Sequence, residues 1–327
     1  MNDMQALVWN GSTVELSTLP IPLRQAGEAL IRVRKAGICN TDLEIIRGYH
    51  DFRGVLGHEF VGEVVAADDS QWLGKRIVSD INLACMSCQA CLAGHPHHCH
   101  RRHTLGIHDK NGAFAQFLTV PQRNLVNVPE TIDDDCAVFA EPLAAALEIL
   151  DQLETLHGPQ LTAGLSANRD ALVIGDGKLG LLISMGLAAH GLPVSLLGHH
   201  PEHAALLTGL DVRFLTQAPA RKFPLVVEAT GNPGGFASAL QLTEARGTLV
   251  LKSTYAGGFE FNPAPLVINE ITLLGSRCGP MAKAMSLMQS GRIFPQRLIS
   301  ARFAIREGLA AIARAGTKGV LKVLLEF

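Results

Sequence analysis

Residues 171–180 read Ala-Leu-Val-Ile-Gly-Asp-Gly-Lys-Leu-Gly, and they set the architecture of the second half of the chain. The four apolar residues predict a short buried strand, and residues 181–189 predict a helix directly after it. Gly175, Gly177 and Gly180 lie between them in the order G-x-G-x-x-G. Glycines at this spacing permit a tight turn, and the start of the helix can receive a pyrophosphate. A purely structural glycine turn is the weaker alternative, because strand and helix flank the motif on both sides.

Strand and helix patterns continue to alternate after this turn. Four further apolar runs predict strands, at residues 194–197, 225–231, 247–252 and 271–276. Right-handed crossovers between such strands give a parallel sheet with helices on both faces. We therefore predict an α/β protein whose doubly wound Rossmann domain spans residues 146–276. Lys178 and Leu179 belong to its predicted NAD(P) site with the three glycines, and a Gly-, Ser- and Asn-containing link precedes it at residues 158–168.

The first half of the chain carries a different pattern. From residue 4 to about residue 65, short alternating apolar and polar runs are broken by Gly and Pro, which predicts strands of a mostly antiparallel domain. We place this domain over residues 1–145. Residues 277–327 contain a helical run and an apolar terminal strand, and we expect them to return to the first domain.

Four cysteines are concentrated in a lobe at about residues 82–102. Cys85, Cys88 and Cys91 recur at every third position, and Cys99 follows eight positions later. Four thiolates can enclose a tetrahedral zinc ion, and such a closed site supports folding without doing chemistry. The alternative is four buried or disulfide-bonded cysteines. Most histidines in and after this lobe are expected to be solvated.

A second set of zinc-ligand types is scattered along the chain. Its members are a thiol, an imidazole and two carboxylates, those of Cys39, His58, Glu59 and Glu141. These are the donors of a catalytic zinc that keeps one position open for water or substrate. Taken singly, each has an ordinary explanation in packing, in a satisfied histidine or in a charge at a helix start. Because the four are far apart in sequence, only a fold can gather them.

The composition excludes several classes of protein. The chain has 327 residues, 47% hydrophobic and 18% charged, which suits a globular protein of about two domains. A formal net charge of −2 gives no general attraction to nucleic acid or to an anionic membrane. No apolar segment reaches the roughly 18 residues that a membrane span needs. Seven cysteines, four of them clustered at metal-type spacing, favour the reducing cytosol over a disulfide framework.

These motifs together resemble the zinc-containing medium-chain dehydrogenase/reductase superfamily over nearly the whole chain. The matching segments are G-I-C-x-T-D at 37–42, G-H-E at 57–59, the four-cysteine lobe, E-P-L at 141–143, G-x-G-x-x-G at 175–180 and G-T-K-G-V-L-K-V at 316–323. The Glu after His58 and the E-P-L motif are more similar to the polyol, threonine and sugar dehydrogenase branch. The resemblance implies a GroES-like catalytic domain beside the Rossmann domain, with the active site in their cleft. It also implies two zinc ions per chain and a homodimer or homotetramer.

The resemblance assigns roles to the scattered residues. Cys39 and His58 correspond to zinc ligands of the catalytic site. Glu59 and Glu141 share the remaining coordination, and the sequence leaves open which carboxylate binds directly. Asp42 corresponds to the carboxylate that orients the ligating histidine and fixes its tautomer.

Proton transfer is assigned by the same resemblance. Thr41 corresponds to the hydroxyl that passes the alcohol proton outward. Two positions depart from the family pattern. Glu44 stands where a His is often found, which leaves the proton exit route open, and Lys178 replaces the usual Pro and adds charge near the phosphates.

The implied reaction is the reversible oxidation of a polyol, sugar or other alcohol to its carbonyl, with hydride transfer to NAD(P). The expected partner is therefore a small-molecule alcohol or carbonyl, and neither nucleic acid nor membrane. Two other functions compete. A zinc-lobe interaction module leaves Cys39, His58 and the glycine turn unexplained. A zinc-free quinone or enone reductase of the same superfamily would normally lack both zinc sites.

The residues after the second Rossmann strand bear on the choice of cofactor. NAD-specific enzymes usually place Asp or Glu there to bind the ribose 2′-hydroxyl. This chain has Gly198-His199-His200, and no carboxylate follows until Glu202, which Pro201 directs elsewhere. Gly198 leaves room for a 2′-phosphate, and the two histidines can donate hydrogen bonds to it. We predict NADP over NAD, the alternative being solvated histidines in an unselective site.

Overall fold

The chain consists of two compact units in a computed structural model that describes residues 3–49, 51–158, 170–254, 258 and 260–327. The first unit comprises Met1–Glu141 and Leu298–Phe327, and the second comprises Pro142–Arg297. Apart from Gly158, the predicted link at residues 158–168 lies outside the described residues.

The return to the first unit falls later than the sequence suggests. We predicted it at residue 277, whereas residues 277–297 group with the second unit. Gly279 packs directly against the backbone carbonyl of Ala144, and Lys283 pairs with Asp151. These contacts are made to a helix more than 100 positions earlier in the chain, so the local sequence does not predict them.

Strands and helices are numbered here along the chain. The strands are β1 (Asp3–Trp9), β2 (Val14–Pro20), β3 (Glu28–Ile38), β4 (Gly54–Val55), β5 (Glu59–Ala67), β6 (Arg76–Ser79), β7 (Asn82–Leu83), β8 (His103–Leu105), β9 (Asp109–Lys110), β10 (Phe117–Pro121), β11 (Leu125–Asn127), β12 (Ala171–Ile174), β13 (Val194–Leu197), β14 (Val212–Leu215), β15 (Phe223–Glu228), β16 (Thr243–Leu251), β17 (Thr272–Gly275), β18 (Ile299–Ala304) and β19 (Lys322–Glu326). The helices are α1 (Asn40–Ile46), α2 (Gln89–Leu92), α3 (Asp134–Ala137), α4 (Ala140–His157), α5 (Lys178–Ala189), α6 (Pro233–Leu242), α7 (Ala264–Ile268), α8 (Met281–Gln289) and α9 (Gly308–Ala315).

The first unit is built on a seven-stranded sheet in the order β11-β6-β5-β3-β19-β18, with β10 also paired to β3. Its neighbours are antiparallel except for β18 and β19, which run parallel. A second sheet has the order β2-β1-β4. Along β3, Ala29, Ile31 and Val33 are buried at alternate positions, because successive side chains of a strand point to opposite faces. The mostly antiparallel first domain is thus as predicted.

Strand pairing in the large sheet brings three distant segments together. β19 pairs with β3 so that Val323 lies opposite Ile38. β5 pairs with the other edge of β3, and Glu59 lies opposite Gly37. The residues next to these pairs therefore meet where β3 ends.

The cysteine lobe is a small substructure of the first unit. β7, β8 and β9 form its three-stranded sheet, and α2 lies in the connection between β7 and β8. Its buried cluster consists of Ala84, Cys91 and Cys99, with Cys85 and Cys88 packed against them. Thiols fill the position that an apolar core would occupy in a larger domain.

The second unit has one parallel six-stranded sheet in the order β14-β13-β12-β15-β16-β17. This is the 3-2-1-4-5-6 order of doubly wound dinucleotide-binding domains. Every residue of β12 and β15 is buried, as expected of central strands covered on both faces. The predicted fold class, a mostly β domain with a Rossmann domain, is confirmed.

Candidate functional site

Three of the four scattered zinc-ligand candidates meet in the first unit. The ligand atoms of Cys39, His58 and Glu59 all lie within 4.8 Å of one another. Cys39 lies between β3 and α1, and Glu59 begins β5. The turn before His58 requires Gly57, which has a φ of 93° and packs against Phe114 so closely that a Cβ would overlap the ring. The end of β3 and the start of β5 therefore present the three side chains to one another.

Asp42 holds this cluster in place from α1. Its Oδ2 accepts a hydrogen bond from the backbone N–H of Cys39 at 2.8 Å, and its Oδ1 accepts one from Gly57 at 3.1 Å. Oδ1 also lies 3.3 Å from Nδ1 of His58. The fully buried carboxylate thus faces one ring nitrogen of His58 and leaves Nε2 as the nitrogen available to a metal.

The donor set and its charges fit a zinc ion. Burial alone would lower the pKa of His58, but Asp42 and Cys39 raise it well above its usual range, which shows how negative the surroundings are. Oε1 of Glu59 is buried and has no hydrogen-bond partner in the part of the chain that the structure describes. A buried carboxylate oxygen without a partner is costly, and a bound cation would satisfy it.

Lys322 completes the cluster, a role that we did not predict for it. Its Nζ pairs with Oε2 of Glu59, and only 3% and 1% of the two side chains are exposed. Burial alone would lower the pKa of Lys322, but Glu59 and Cys39 raise it. The sequence feature that could have identified Lys322 is its place in an apolar terminal strand, because a lysine is almost never fully buried there without a charged partner. The partner lies 263 positions away, so no local pattern identifies it.

Glu141, the fourth candidate ligand, lies near the cluster and outside the group of three. Its carboxylate is not among the ligand atoms that lie within 4.8 Å of one another. Burial raises the pKa of Glu141 to about 7; His58 lowers it, and the charges of Glu59 and Asp80 raise it further. In the metal-free protein Glu141 therefore titrates near neutrality.

Thr41 adjoins the same cluster. Its Oγ1 lies 3.8 Å from Sγ of Cys39. Glu44, one helical turn later, accepts a hydrogen bond from Nη1 of Arg47 at 2.6 Å. Its charge is therefore already paired, unlike the imidazole that is common at this position.

The four cysteines of the lobe have the spacing of a zinc–thiolate centre. The Sγ atoms are separated by 3.5 Å for Cys88 and Cys91, 3.7 Å for Cys88 and Cys99, and 3.4 Å for Cys85 and Cys99. A tetrahedron with Zn–S bonds of about 2.3 Å has edges of about 3.8 Å. None of the four is joined to another by a disulfide. The residues present fit a structural zinc.

Electrostatics in the lobe agree with this assignment. Hydrogen bonds from the backbone and side chain of Ser87 lower the pKa of Cys85 to about 5, whereas burial raises the pKa of Cys91 to about 11. Four adjacent thiols cannot all ionise unless a cation lies among them. One histidine in this region is not a solvated loop residue, since Nε2 of His97 lies 2.8 Å from Oδ2 of Asp80.

The glycine turn of the second unit fits a dinucleotide. Gly175 has a φ of 108° and packs against the backbone at Ala229, and Gly180 packs against the carbonyl of Gly175. Both positions are too close to other backbone for a side chain. Open space surrounds Gly177, the N-cap of α5, which has no side-chain cap. A helix start without a side-chain cap, beside open space, is a place where an anion such as a pyrophosphate can bind.

The space beside Gly198 differs from what the sequence suggested. A Cβ on Gly198 would overlap the side chain of Asp176, the second residue of the glycine turn. Oδ2 of Asp176 accepts hydrogen bonds from the backbone N–H groups of His199 at 3.1 Å and His200 at 2.8 Å, and lies 3.0 Å from Nδ1 of His200. The expectation of open room at Gly198 with no carboxylate before Glu202 was therefore wrong. Asp176 comes from another strand end and fills this position.

Comparison with known proteins points to one group of enzymes. The family model for the alcohol dehydrogenase GroES-like domain matches residues 25–130. L-galactonate-5-dehydrogenase of Escherichia coli (strain K12) is 28% identical over 86% of both chains. A short chain alcohol dehydrogenase from E. coli CFT073, complexed with NADH, has a TM-score of 0.88 at 25% identity and covers 100% of both chains. A zinc-binding dehydrogenase from Sinorhizobium meliloti 1021, bound to NADP, has a TM-score of 0.87 at 26% identity, with the same coverage. No described helix combines the length and apolarity needed to cross a bilayer.

Proposed function

Because the chain belongs to the zinc-type medium-chain dehydrogenase/reductase superfamily, we propose that it is an NAD(P)-dependent dehydrogenase that interconverts a polyol, a sugar or another secondary alcohol and its carbonyl. The observation that carries this function is the convergence of Cys39, His58 and Glu59, together with a buried oxygen of Glu59 that has no hydrogen-bond partner among the described residues. The relative that acts on L-galactonate supports a polyhydroxylated substrate.

The first unit would hold the catalytic zinc through Cys39 and Nε2 of His58, with Glu59 or Glu141 completing the set. When bound, the zinc supplies Lewis-acid polarisation of the substrate oxygen, and the nicotinamide supplies the hydride acceptor. Glu59 is the nearer carboxylate, and its Oε1 is the oxygen that Lys322 leaves unpaired. Asp42 keeps the His58 ring in the orientation that presents Nε2.

Thr41 is the proposed first acceptor of the substrate hydroxyl proton. Its hydroxyl adjoins the thiol of Cys39, and a threonine can accept one proton while donating its own. Glu44 is paired with Arg47, so a histidine-like relay at this position is missing. The proton would therefore leave from Thr41 by way of solvent.

The lobe would hold a second zinc through Cys85, Cys88, Cys91 and Cys99, giving two zinc ions per chain. This closed site leaves no position for a substrate, and its role is to fold the lobe. Four clustered cysteines that are not joined by disulfides support a cytosolic location.

The glycine turn, with Lys178 and Leu179, would hold the pyrophosphate of the cofactor, and NADP would be preferred to NAD. No carboxylate projects from Gly198, His199 or His200 themselves. His199 is exposed at the end of β13 and can donate a hydrogen bond to a 2′-phosphate.

We also propose a homodimer or homotetramer. Strand β17 lies at the edge of the six-stranded sheet, and 42% of Leu273 is exposed on it. Val267 and Ile268 of the preceding helix are 76% and 77% exposed. An unpaired strand edge beside exposed apolar side chains is a common place for self-association.

Assay of the zinc-loaded protein with a panel of alcohols, polyols and sugars, each with NAD and with NADP, tests the function. We expect reduced nicotinamide absorbance to rise with at least one polyol or sugar acid. Reduction of quinones or enones without any alcohol oxidation would instead identify a zinc-free type of reductase. Zinc binding in the lobe without turnover of any compound would leave only an interaction module.

A further inference from the structure

The side chain of Asp176 is held rigidly at the end of β13. Only 5% of the residue is exposed, and its Oδ2 takes the N–H groups of His199 and His200 together with Nδ1 of His200. Nδ1 of His203 lies 2.9 Å from the backbone oxygen of Asp176. The same ring nitrogen of His203 lies 3.4 Å from Oδ2, and Gly198 packs against the side chain. Contacts from residues 198–203 thus fix the turn and its carboxylate.

The end of β13 is the part of the fold that contacts the adenosine ribose of the cofactor. In doubly wound domains the first strand and glycine turn bind the pyrophosphate, and the end of the second strand faces the 2′ position of the adenosine ribose. Asp176 belongs to the turn by sequence and reaches the end of β13 by its side chain. A single carboxylate therefore joins the two parts of the cofactor site.

The histidines favour binding of a 2′-phosphate, and the negative charge of Asp176 opposes it. A 2′-phosphate carries close to two negative charges at neutral pH, and a neighbouring carboxylate repels it. Nδ1 of His200 lies 3.0 Å from Oδ2 of Asp176, so this ring nitrogen faces the carboxylate and is not available to a phosphate. His199 remains as the exposed imidazole. Oδ2 makes all three hydrogen bonds, which leaves Oδ1 as the oxygen that a ribose hydroxyl can approach.

We infer that Asp176 is a specificity-determining residue of the cofactor site, which binds the 2′-hydroxyl of NAD and weakens binding of the 2′-phosphate of NADP. The inference rests on the proposed function, since it assumes that a nicotinamide dinucleotide occupies the glycine turn. The preference for NADP is accordingly smaller than the histidines alone would produce. NAD remains a usable cofactor because Asp176 supplies the carboxylate that NAD-specific enzymes usually carry after the second strand, here β13.

Replacement of Asp176 by Asn is the test, because the amide keeps an oxygen for the N–H groups of His199 and His200 and removes the charge. Dissociation constants for NADH and NADPH are measured by fluorescence titration of the metal-stripped protein, so neither zinc nor turnover enters. We expect the NADPH to NADH affinity ratio to rise about tenfold, the effect of about 1.4 kcal/mol from one opposing charge. Asp211→Asn, at an exposed position of the same unit, is the matched control and should leave the ratio unchanged.

A second variant gives the opposite sign and covers the possibility that Asp176→Asn does not fold. His200→Gln removes the nearer of the two imidazoles that face Oδ2 of Asp176 and leaves only His203, 3.4 Å away, so the ratio should shift toward NADH. An unchanged ratio in both folded variants overturns the role of Asp176 while the proposed function stands. Failure of the unaltered protein to bind either dinucleotide overturns the proposed function and this inference together.

Discussion

Replacing Lys322 with Met should destabilise the metal-free first unit severely, because it leaves Glu59 charged in the core. The two side chains are almost fully buried and pair with each other. Removing one partner of a buried ion pair typically costs about 3–5 kcal/mol. Glu59 can also escape by taking up a proton, and protonating an ordinary carboxylate at pH 7 costs about 3–4 kcal/mol. The two routes give the same expected loss, about 3–4 kcal/mol in the free energy of unfolding.

Urea unfolding of the metal-stripped proteins, followed by circular dichroism, measures this loss. In thermal terms it corresponds to a Tm lower by about 6–16 °C, at roughly 2–4 °C per kcal/mol for a domain of 150–250 residues. Lys318→Met, at an exposed position four residues earlier, is the matched control and should change stability by no more than about 0.5 kcal/mol.

A double-mutant cycle separates the ion pair from simple packing. Glu59→Gln combined with Lys322→Met removes both charges, so the double variant should be more stable than Lys322→Met alone. Zinc should also restore part of the loss in Lys322→Met if Glu59 binds the metal directly. Equal stability of Lys322→Met and Lys318→Met, or a double variant no better than the single one, would refute the reasoning.

Other predictions concern the two metal centres and Glu141. Cys39→Ser should lose one of two zinc ions and nearly all turnover with little change in Tm, and retention of turnover without that zinc contradicts it. Cys99→Ser should lower Tm and disturb the lobe, and a Tm equal to wild type with full zinc content would show that the lobe is not a structural site. Glu141 has a folded pKa of about 7, above its ordinary 4.5, so the folded state keeps a proton that the unfolded chain releases. Metal-free protein should therefore lose up to about 3 kcal/mol of stability as pH rises from about 4.5 to 7, and Glu141→Gln should lack this slope; an identical slope in both proteins rules out Glu141 as its source.

Local sequence patterns were sufficient to predict the sheet and the glycine turn of the second unit. The runs that form β12 and β15 are continuous and apolar because helices cover both faces of a parallel sheet, and this burial is visible in composition alone. The glycine turn was likewise readable, because Gly175 and Gly180 have backbone neighbours that exclude any side chain. The cysteine lobe followed from spacing, since ligands of one closed site come from one short segment.

The missed features all depend on contacts between distant segments. Lys322 meets Glu59 through the register of β19 and β5 on opposite edges of β3, and register is a property of the assembled sheet. Asp176 reaches residues 198–200 from an adjacent strand end, whereas the sequence directs attention to β13 itself. The late return of the chain, after Arg297, depends on packing against α4 in the same way.

Turnover measured against bound zinc tests the central claim most directly. The protein is stripped of metal, zinc is returned in steps, and alcohol-dependent nicotinamide reduction is recorded beside zinc content for each step. Turnover should return in proportion to zinc bound beyond the ion held by the lobe, and Cys39→Ser should stay inactive at every step. Full turnover from chains that hold no zinc, or from Cys39→Ser with a filled lobe, would contradict a catalytic zinc at Cys39, His58 and Glu59.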